Sequence, residues 1–161
     1  MNRHLPHLAI LPEDEDDAEL ANGFVLNEEV RRVHVLPYSG GWHKVRDEFE
    51  ERHIKTMERL PERRMILLID FDRQTDRLAY MKEAIPAHLE TRVFVLGCWN
   101  EPKDLKQAFA GRGSLEDIGS ALGRECIERN RDMWEHPLLA HNAEELRRLS
   151  DSMRDYLIGG N

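Results

Sequence analysis

The sequence predicts a parallel α/β fold, and three observations support this prediction. Short apolar runs alternate with longer segments in which apolar residues recur every three or four positions. The resulting order is β-α-β-α-β-α-β-α with further helices at the C-terminus, which predicts a four-stranded, mostly parallel sheet with helices on both faces. The apolar run Met65–Ile69 is typical of a strand that is buried on both faces.

The first two strands are predicted from short apolar runs that end at a proline. They are His7–Leu11 and Val33–Leu36. Between them, the acidic cluster Glu13–Asp17 begins a helix that we expect to run to about Asn27, because acidic side chains favour the positive end of the helix dipole. A long helix ending before Pro61 is predicted after the second strand. Its buried face has helical spacing and comprises Trp42, Val45, Phe49, His53, Met57 and Leu60.

The third strand is the buried run described above, and it is followed by a helix that stops before Pro86. The fourth strand is Val93–Leu96, and the next helix begins at Pro102, a residue that suits the first helical position. We expect residues 1–110 to form the α/β core and residues 111–161 to form a C-terminal helical extension packed on that core.

Two capping boxes are predicted in the C-terminal extension. The two predicted boxes are Ser114 with Asp117 and Asn142 with Glu145. In a capping box, two residues three positions apart at the start of a helix each accept a hydrogen bond from the other's backbone N–H. Trp134 lies between these two helices. Packing over the sheet and docking of a partner protein are the alternative roles for this tryptophan.

Composition limits the classes of function. The net charge of −8 over 161 residues argues against a protein that coats nucleic acid by charge alone, although an enzyme whose acids hold metal ions remains compatible with it. The start of the chain has no long apolar region, so we expect no signal peptide, and no apolar run is long enough to cross a membrane. Cys98 and Cys126 form no paired motif, and we expect reduced thiols in a cytoplasmic protein.

Acidic residues follow three of the four predicted strands. Glu13 follows the first strand, Asp70 and Asp72 follow the third, and Glu101 follows the fourth. Because parallel strands end at the same edge of a sheet, all four residues should lie along that edge, within reach of one or two metal ions. Neighbouring carboxylates repel each other, and a hard cation such as Mg²⁺ or Mn²⁺ relieves that repulsion. Asp14 is an alternative ligand to Glu13.

These motifs resemble the Toprim family over about residues 7–110. The family includes topoisomerases, primases, recombination proteins and nucleases of the overcoming-lysogenization-defect type. The resemblance implies that Glu13, Asp70 and Asp72 bind Mg²⁺ or Mn²⁺ where phosphodiester bonds are cleaved. It also implies that Glu101 acts near a second metal, as in the nuclease branch, and that the setting is antiphage defence. The Gly that commonly follows the first Glu in topoisomerase-like members is absent here.

Several groups near this edge are candidates for contacts with nucleic-acid phosphates. Arg73 and Arg77 follow the Asp-x-Asp motif, and Lys103 and Lys106 lie on the helix after the fourth strand. The loop Ser39–Gly41 is either a phosphate-binding loop or a plain turn. The resemblance implies a nucleic-acid substrate, DNA rather than RNA, and an ATPase as partner protein.

A second resemblance leaves another function open. The stretch Ile10–Leu20 resembles the first strand and acidic pocket of response-regulator receiver domains, which also need Mg²⁺ and would be phosphorylated here on Asp70. Receivers usually carry Ser or Thr after the fourth strand, where this chain has Gly97, and they have a fifth strand that we do not find. A third alternative is an interaction subunit that keeps the fold without the chemistry.

Overall fold

Four parallel strands form the centre of the fold in the computed structural model, which describes residues 6–26 and 32–152. The strands are β1 His7–Pro12, β2 Val33–Val35, β3 Arg63–Leu68 and β4 Val93–Leu96. Their order across the sheet is β2-β1-β3-β4, and every neighbouring pair is parallel. The predicted α/β class and the four-stranded sheet are therefore confirmed.

Seven α-helices connect and follow these strands in the described ranges. They are α1 Glu15–Val25, α2 Trp42–Glu48, α3 Ile54–Arg59, α4 Arg77–Glu83, α5 Pro102–Ala108, α6 Leu115–Glu128 and α7 Ala143–Ser152. A π-helical turn, Phe49–His53, joins α2 to α3, so the predicted long helix is present with one irregular turn. The predicted end of the first helix, about Asn27, lies outside the described residues. So do Met153 and Leu157, which helical spacing from Leu146 and Leu149 predicts on the inward face of the last helix. No described helix combines the length and the apolar character that crossing a bilayer requires.

Each face of the sheet is covered by helices. Strand residues alternate between the faces, as the period of two in a β-strand requires. One face packs against α2, α3 and α4 through Ala9, Leu11, Met65, Leu67, Val93 and Val95. The other face packs against α1, α6 and α7 through Leu8, Ile10, Ile66, Phe94 and Leu96. Burial on both faces explains why these strands are continuously apolar rather than alternating.

Helices α1 and α6 approach each other closely because glycines lie at their contact. A Cβ atom on Gly23 would lie 1.9 Å from the carbonyl oxygen of Glu116, and one on Gly119 would lie 1.9 Å from that of Leu20. Any side chain at either position would push the two backbones apart. Helix α6 of the C-terminal extension therefore packs directly on α1, the first helix of the chain.

The extension also provides hydrogen-bond acceptors for backbone N–H groups at the β4 edge of the sheet, where the described residues place no further strand. The backbone N–H of Val95 donates to Oε1 of Glu145 at 3.2 Å, and that of Gly97 donates to Oδ1 of Asn142 at 3.0 Å. The predicted capping box of Asn142 with Glu145 is therefore wrong, because both side chains bond the edge strand instead. An unpaired strand edge needs such partners. The other predicted box, Ser114 with Asp117, is present in full.

Trp134 is half-buried and packs between the helices of the extension and the sheet. Its indole Nε1–H donates to the carbonyl oxygen of Leu122 at 3.1 Å. A tryptophan whose polar atom is bonded inside the protein is explained by packing, so this structure favours the first of its two alternative roles.

Both cysteines are buried and unpaired. Burial raises the pKa of Cys98 and of Cys126 to about 12. Neither thiol is a thiolate near neutral pH, so neither is activated as a nucleophile or metal ligand in this fold.

Candidate metal centre

The acidic residues meet outside the carboxyl ends of β1 and β3. Strand order reverses between these two strands, because β2 follows β1 on one side and β4 follows β3 on the other. In parallel α/β sheets, ligands bind in the crevice at such a reversal. Glu13 directly follows β1, and Asp70 follows β3 after one intervening residue, so each reaches the crevice from a different strand.

Glu13 is held in place by the backbone of the neighbouring strand exit. Its Oε1 accepts a hydrogen bond of 2.8 Å from the N–H of Asp70, and the residue is 9% exposed. Burial raises the pKa of Glu13 to about 7, the bond from Asp70 lowers it, and the nearby Asp14 carboxyl raises it.

Asp14 combines a structural role with membership of the acidic cluster. It is the N-cap of α1, and its Oδ1 accepts a bond of 3.0 Å from the N–H of Asp17. One carboxylate oxygen from each of Glu13, Asp14 and Asp70 lies within 4.8 Å of the others. Three carboxylates at this spacing can surround a single cation.

Asp70 is the central acid of the cluster. It is 6% exposed, and its Oδ1 is buried without a hydrogen-bond partner. Burial raises the pKa of Asp70 to about 8, a bond with Asp17 lowers it, and the carboxyls of Glu13 and Asp14 raise it. A bound cation would supply the compensating charge that the protein does not place at this oxygen.

Asp17 was not singled out by sequence reasoning, which assigned the acids of this turn to the helix dipole. It is fully buried, and neither carboxyl oxygen accepts a hydrogen bond from an amide, hydroxyl or basic group; its close polar neighbours are the carboxyls of Asp70 and Asp14. Burial raises its pKa well above the usual range, and the Asp70 and Asp14 carboxyls raise it further. Its position in the apolar stripe Asp17, Leu20, Ala21, Phe24 of α1 is the signal that could have found it.

Asp72 lies outside this cluster. Strand β3 ends at Leu68, and Asp72 has a positive φ of 46°, so the expectation that Asp70 and Asp72 point the same way along one strand does not hold. Its side chain is 53% exposed and lies 3.2 Å from Nη2 of Arg77. A ligand role for Asp72 stays a prediction.

Arg77 is held tightly beside the crevice. Its Nη1 donates to the carbonyl oxygen of Asp70 at 2.7 Å, and its guanidinium lies 4.2 Å from the ring centre of Trp42. Two of its nitrogens are therefore occupied by Asp70 and Asp72. A contact with phosphate would have to share or replace the contact with Asp72.

The other candidate residues are more exposed. Glu101 is the N-cap of α5 without a side-chain capping bond, and its Oε1 lies 3.2 Å from Nζ of Lys103. Neither Glu101 nor Asp72 belongs to the group of carboxylates within metal-binding distance in the described residues. Arg73 and Lys106 are exposed. Their predicted roles in phosphate contact stay predictions.

The loop Ser39–Gly41 is a turn whose backbone N–H groups bond the carboxyl end of β1. The N–H groups of Gly40 and Gly41 both donate to the carbonyl oxygen of Glu13, at 2.7 and 3.1 Å, and the N–H of Ser39 donates to that of Pro12 at 3.0 Å. Because these amides are occupied, this conformation does not offer them to a phosphate. The loop instead fixes the backbone that carries Glu13.

The donor set determines which ions fit. Carboxylate oxygens from Glu13, Asp14 and Asp70 are hard ligands, and the group contains neither histidine nor cysteine. Such a set suits Mg²⁺, Mn²⁺ or Ca²⁺ rather than zinc or copper. The fold and the site thus define a three-layer parallel α/β domain with a candidate acidic cation site. No family, curated protein or solved structure matches this chain.

Proposed function

We propose that this protein is a Mg²⁺- or Mn²⁺-dependent phosphodiesterase that acts on nucleic acid. The observation that carries the proposal is the convergence of Glu13, Asp14 and Asp70 within 4.8 Å at the reversal of strand order. Three carboxylates leave open positions on an octahedral ion, where water and a substrate phosphate can bind. The resemblance to the Toprim family adds support for the reaction class.

The proposed roles follow from where the residues lie. Glu13, Asp14 and Asp70 would hold the cation, which supplies charge neutralisation at the phosphate and a more acidic water when it is bound. Arg77 lies beside Asp70 with a fixed guanidinium and would orient a phosphate oxygen. Glu101 would act at a more exposed position on the same edge.

Binding of the polymer is proposed to depend on a partner. The net charge of −8 gives the chain little general attraction for nucleic acid. An ATPase that holds the DNA, as the resemblance implies, would supply this attraction. Arg73 and Lys106 are exposed and would make local phosphate contacts near the site.

The test combines cation binding with cleavage. Nicking of supercoiled plasmid and cleavage of RNA are measured with Mn²⁺, with Mg²⁺ and with EDTA. Asp70→Asn should reduce cleavage by at least about 100-fold, since even groups that only orient metal ligands change affinity by 10–100-fold. The matched control is Asp16→Asn, an exposed acid of the same helical turn, which should cleave normally. Cation binding without cleavage of either polymer would favour the interaction-subunit alternative.

Receiver-like signalling is the second candidate function. It is favoured by the composition of the cluster, because two acids after β1 meet one acid after β3 while Asp72 lies apart. It is disfavoured at Gly97, where a Cβ atom would lie 1.6 Å from the carbonyl oxygen of Ile69. The Ser or Thr that receivers usually carry there has no room. The described residues also form only four strands.

Beryllium fluoride separates these two candidates. A receiver should bind this phosphate mimic on Asp70, and Asp72→Asn should leave the binding intact. A phosphodiesterase of the proposed kind should cleave nucleic acid, and Asp72→Asn should impair cleavage because Asp72 pairs with Arg77, the residue proposed to orient the phosphate. Formation of an acyl phosphate on Asp70 would decide for the signalling module.

A further inference from the structure

Asp17 is a buried acid that the protein itself does not satisfy. It is 0% exposed, and neither of its carboxyl oxygens accepts a hydrogen bond from an amide, hydroxyl or basic group; its close polar neighbours are the carboxyls of Asp70 and Asp14, which are themselves acids. Buried polar atoms nearly always have partners, and leaving a charged one without any is costly. The position therefore requires an explanation beyond packing.

Other buried acids of the fold show what a structural carboxylate looks like here. Glu125 accepts bonds from the N–H groups of Met133 and Trp134 at 2.9–3.3 Å. Glu145 accepts a bond from the N–H of Val95 and pairs with basic side chains. Each of these acids is surrounded by donors, whereas Asp17 is not.

The groups next to Asp17 are other acids. Its carboxyl lies against that of Asp70, whose buried Oδ1 also lacks a partner, and the Asp14 carboxyl is near both. The N–H of Asp17 donates to Oδ1 of Asp14, so the two residues share one rigid helical turn. Arg77 cannot compensate this charge alone, because its nitrogens are already bonded to the Asp70 carbonyl and paired with Asp72.

We infer that Asp17 is a fourth carboxylate of the cation site and binds Mg²⁺ or Mn²⁺ together with Asp70. This inference rests on the proposed cation-dependent function. Asp17 lies outside the group of three carboxylates that are within 4.8 Å of one another, but its fully buried carboxyl lies against that of Asp70, so one ion between these two residues satisfies acceptors on both. Oxygen ligands from four acids make the site selective for hard cations with a charge of two or more.

The test measures Mn²⁺ binding to the full chain by calorimetry and by electron paramagnetic resonance, with no substrate present. Asp17→Asn keeps the shape of the side chain and removes one ionised ligand. We expect the variant to bind Mn²⁺ at least about tenfold more weakly than the wild type. Asp16→Asn is the matched control, because it removes the same charge from an exposed position in the same turn. Its affinity should stay within about threefold, since exposed charges are strongly screened.

The Mn²⁺ affinities of the wild type and of Asp17→Asn test the inference and the proposed function separately. If Asp17→Asn binds Mn²⁺ as tightly as the control does, Asp17 is a buried neutral acid and the inference is wrong, while the proposed function stands. If the wild type binds no Mn²⁺, the proposed function itself fails. Metal-free Asp17→Asn should be at least as stable as the wild type, because asparagine keeps a hydrogen-bond donor beside Asp70 and cannot ionise. Loss of the fold in both Asp17→Asn and Asp17→Ser would overturn the inference, because the fold and not the metal would then need the acid.

Discussion

Replacing Asp70 by asparagine removes the central carboxyl of the cluster without changing the size of the side chain. In the metal-free protein, burial raises the pKa of Asp70 from 3.8 to about 8. A carboxyl with a raised pKa in the folded chain gives its full stability below about pH 4 and loses it as pH rises through about 8. Asparagine does not ionise, so the variant should lose less stability than the wild type between pH 5 and pH 8.

The size of this effect follows from the pKa. When the pH is above the pKa of Asp70 in both the unfolded and the folded chain, each unit of difference between these two pKa values corresponds to about 1.4 kcal/mol of unfolding free energy. The rise from 3.8 to about 8 gives an upper limit of about 6 kcal/mol, which relaxation of the site and water entry reduce. We expect metal-free Asp70→Asn to be more stable than the wild type by about 2 kcal/mol at pH 8, or about 4–8 °C for a chain of this size.

Thermal melts in EDTA at pH 5, 6.5 and 8 measure this difference, and Asp72→Asn is the control because Asp72 is 53% exposed. Adding Mn²⁺ should raise the melting temperature of the wild type and not that of Asp70→Asn, because only the complete cluster binds the ion. The wild-type response should grow with pH, since protons compete with the cation for the same oxygens. A metal-free Asp70→Asn variant that is less stable than the wild type at pH 8 would refute this reasoning.

Four further predictions concern the C-terminal extension. Trp134→Ala should lower the free energy of unfolding by about 2–4 kcal/mol in urea, because the ring is half-buried and its N–H is bonded. Gly119→Ala should cost on the order of 3 kcal/mol through its 1.9 Å backbone clash, whereas Gly111→Ala, with nothing within 4 Å, should cost less than about 0.5 kcal/mol. Asn142→Ala should cost about 1–3 kcal/mol, because it leaves the buried N–H of Gly97 without an acceptor. A chain of residues 1–110 alone should show no cooperative melt by circular dichroism, because one face of its sheet would keep α1 but lose the cover of α6 and α7.

Much of the fold follows from the sequence because the signals are local and agree with one another. The β1 and β4 runs are apolar on both faces, and the β-α alternation requires their ends to meet at one edge. That reasoning placed Glu13 and Asp70 together, and their carboxylate oxygens do lie within 4.8 Å. The acidic cluster could thus be found in outline from strand ends alone.

The predictions that failed, and the buried acid that was not predicted, have physical causes that the pattern of strands does not show. The alternation rule fails for Asp72 because the strand has ended and the backbone has turned to a positive φ. The capping spacing of Asn142 was correct in form, but the unpaired N–H groups of the edge strand compete for the same side chain. Asp17 was hidden among acids that suit a helix N-terminus, although its place on the apolar stripe of α1 distinguishes it from its exposed neighbours.

The extension and the candidate cation site are also structurally connected. Phe71 follows Asp70, and its ring lies 4.7 Å from that of His141 in the extension, measured between ring centres. The N–H of Trp99, three residues past the end of β4, donates to the carbonyl oxygen of Leu138 at 2.7 Å. The loop that carries Asp70 is thus packed between β4 and residues near the C-terminus. Because a cation site depends on ligand positions to within a fraction of an ångström, we expect changes in the residues after 110 to alter the proposed cation affinity through this packing as well as stability.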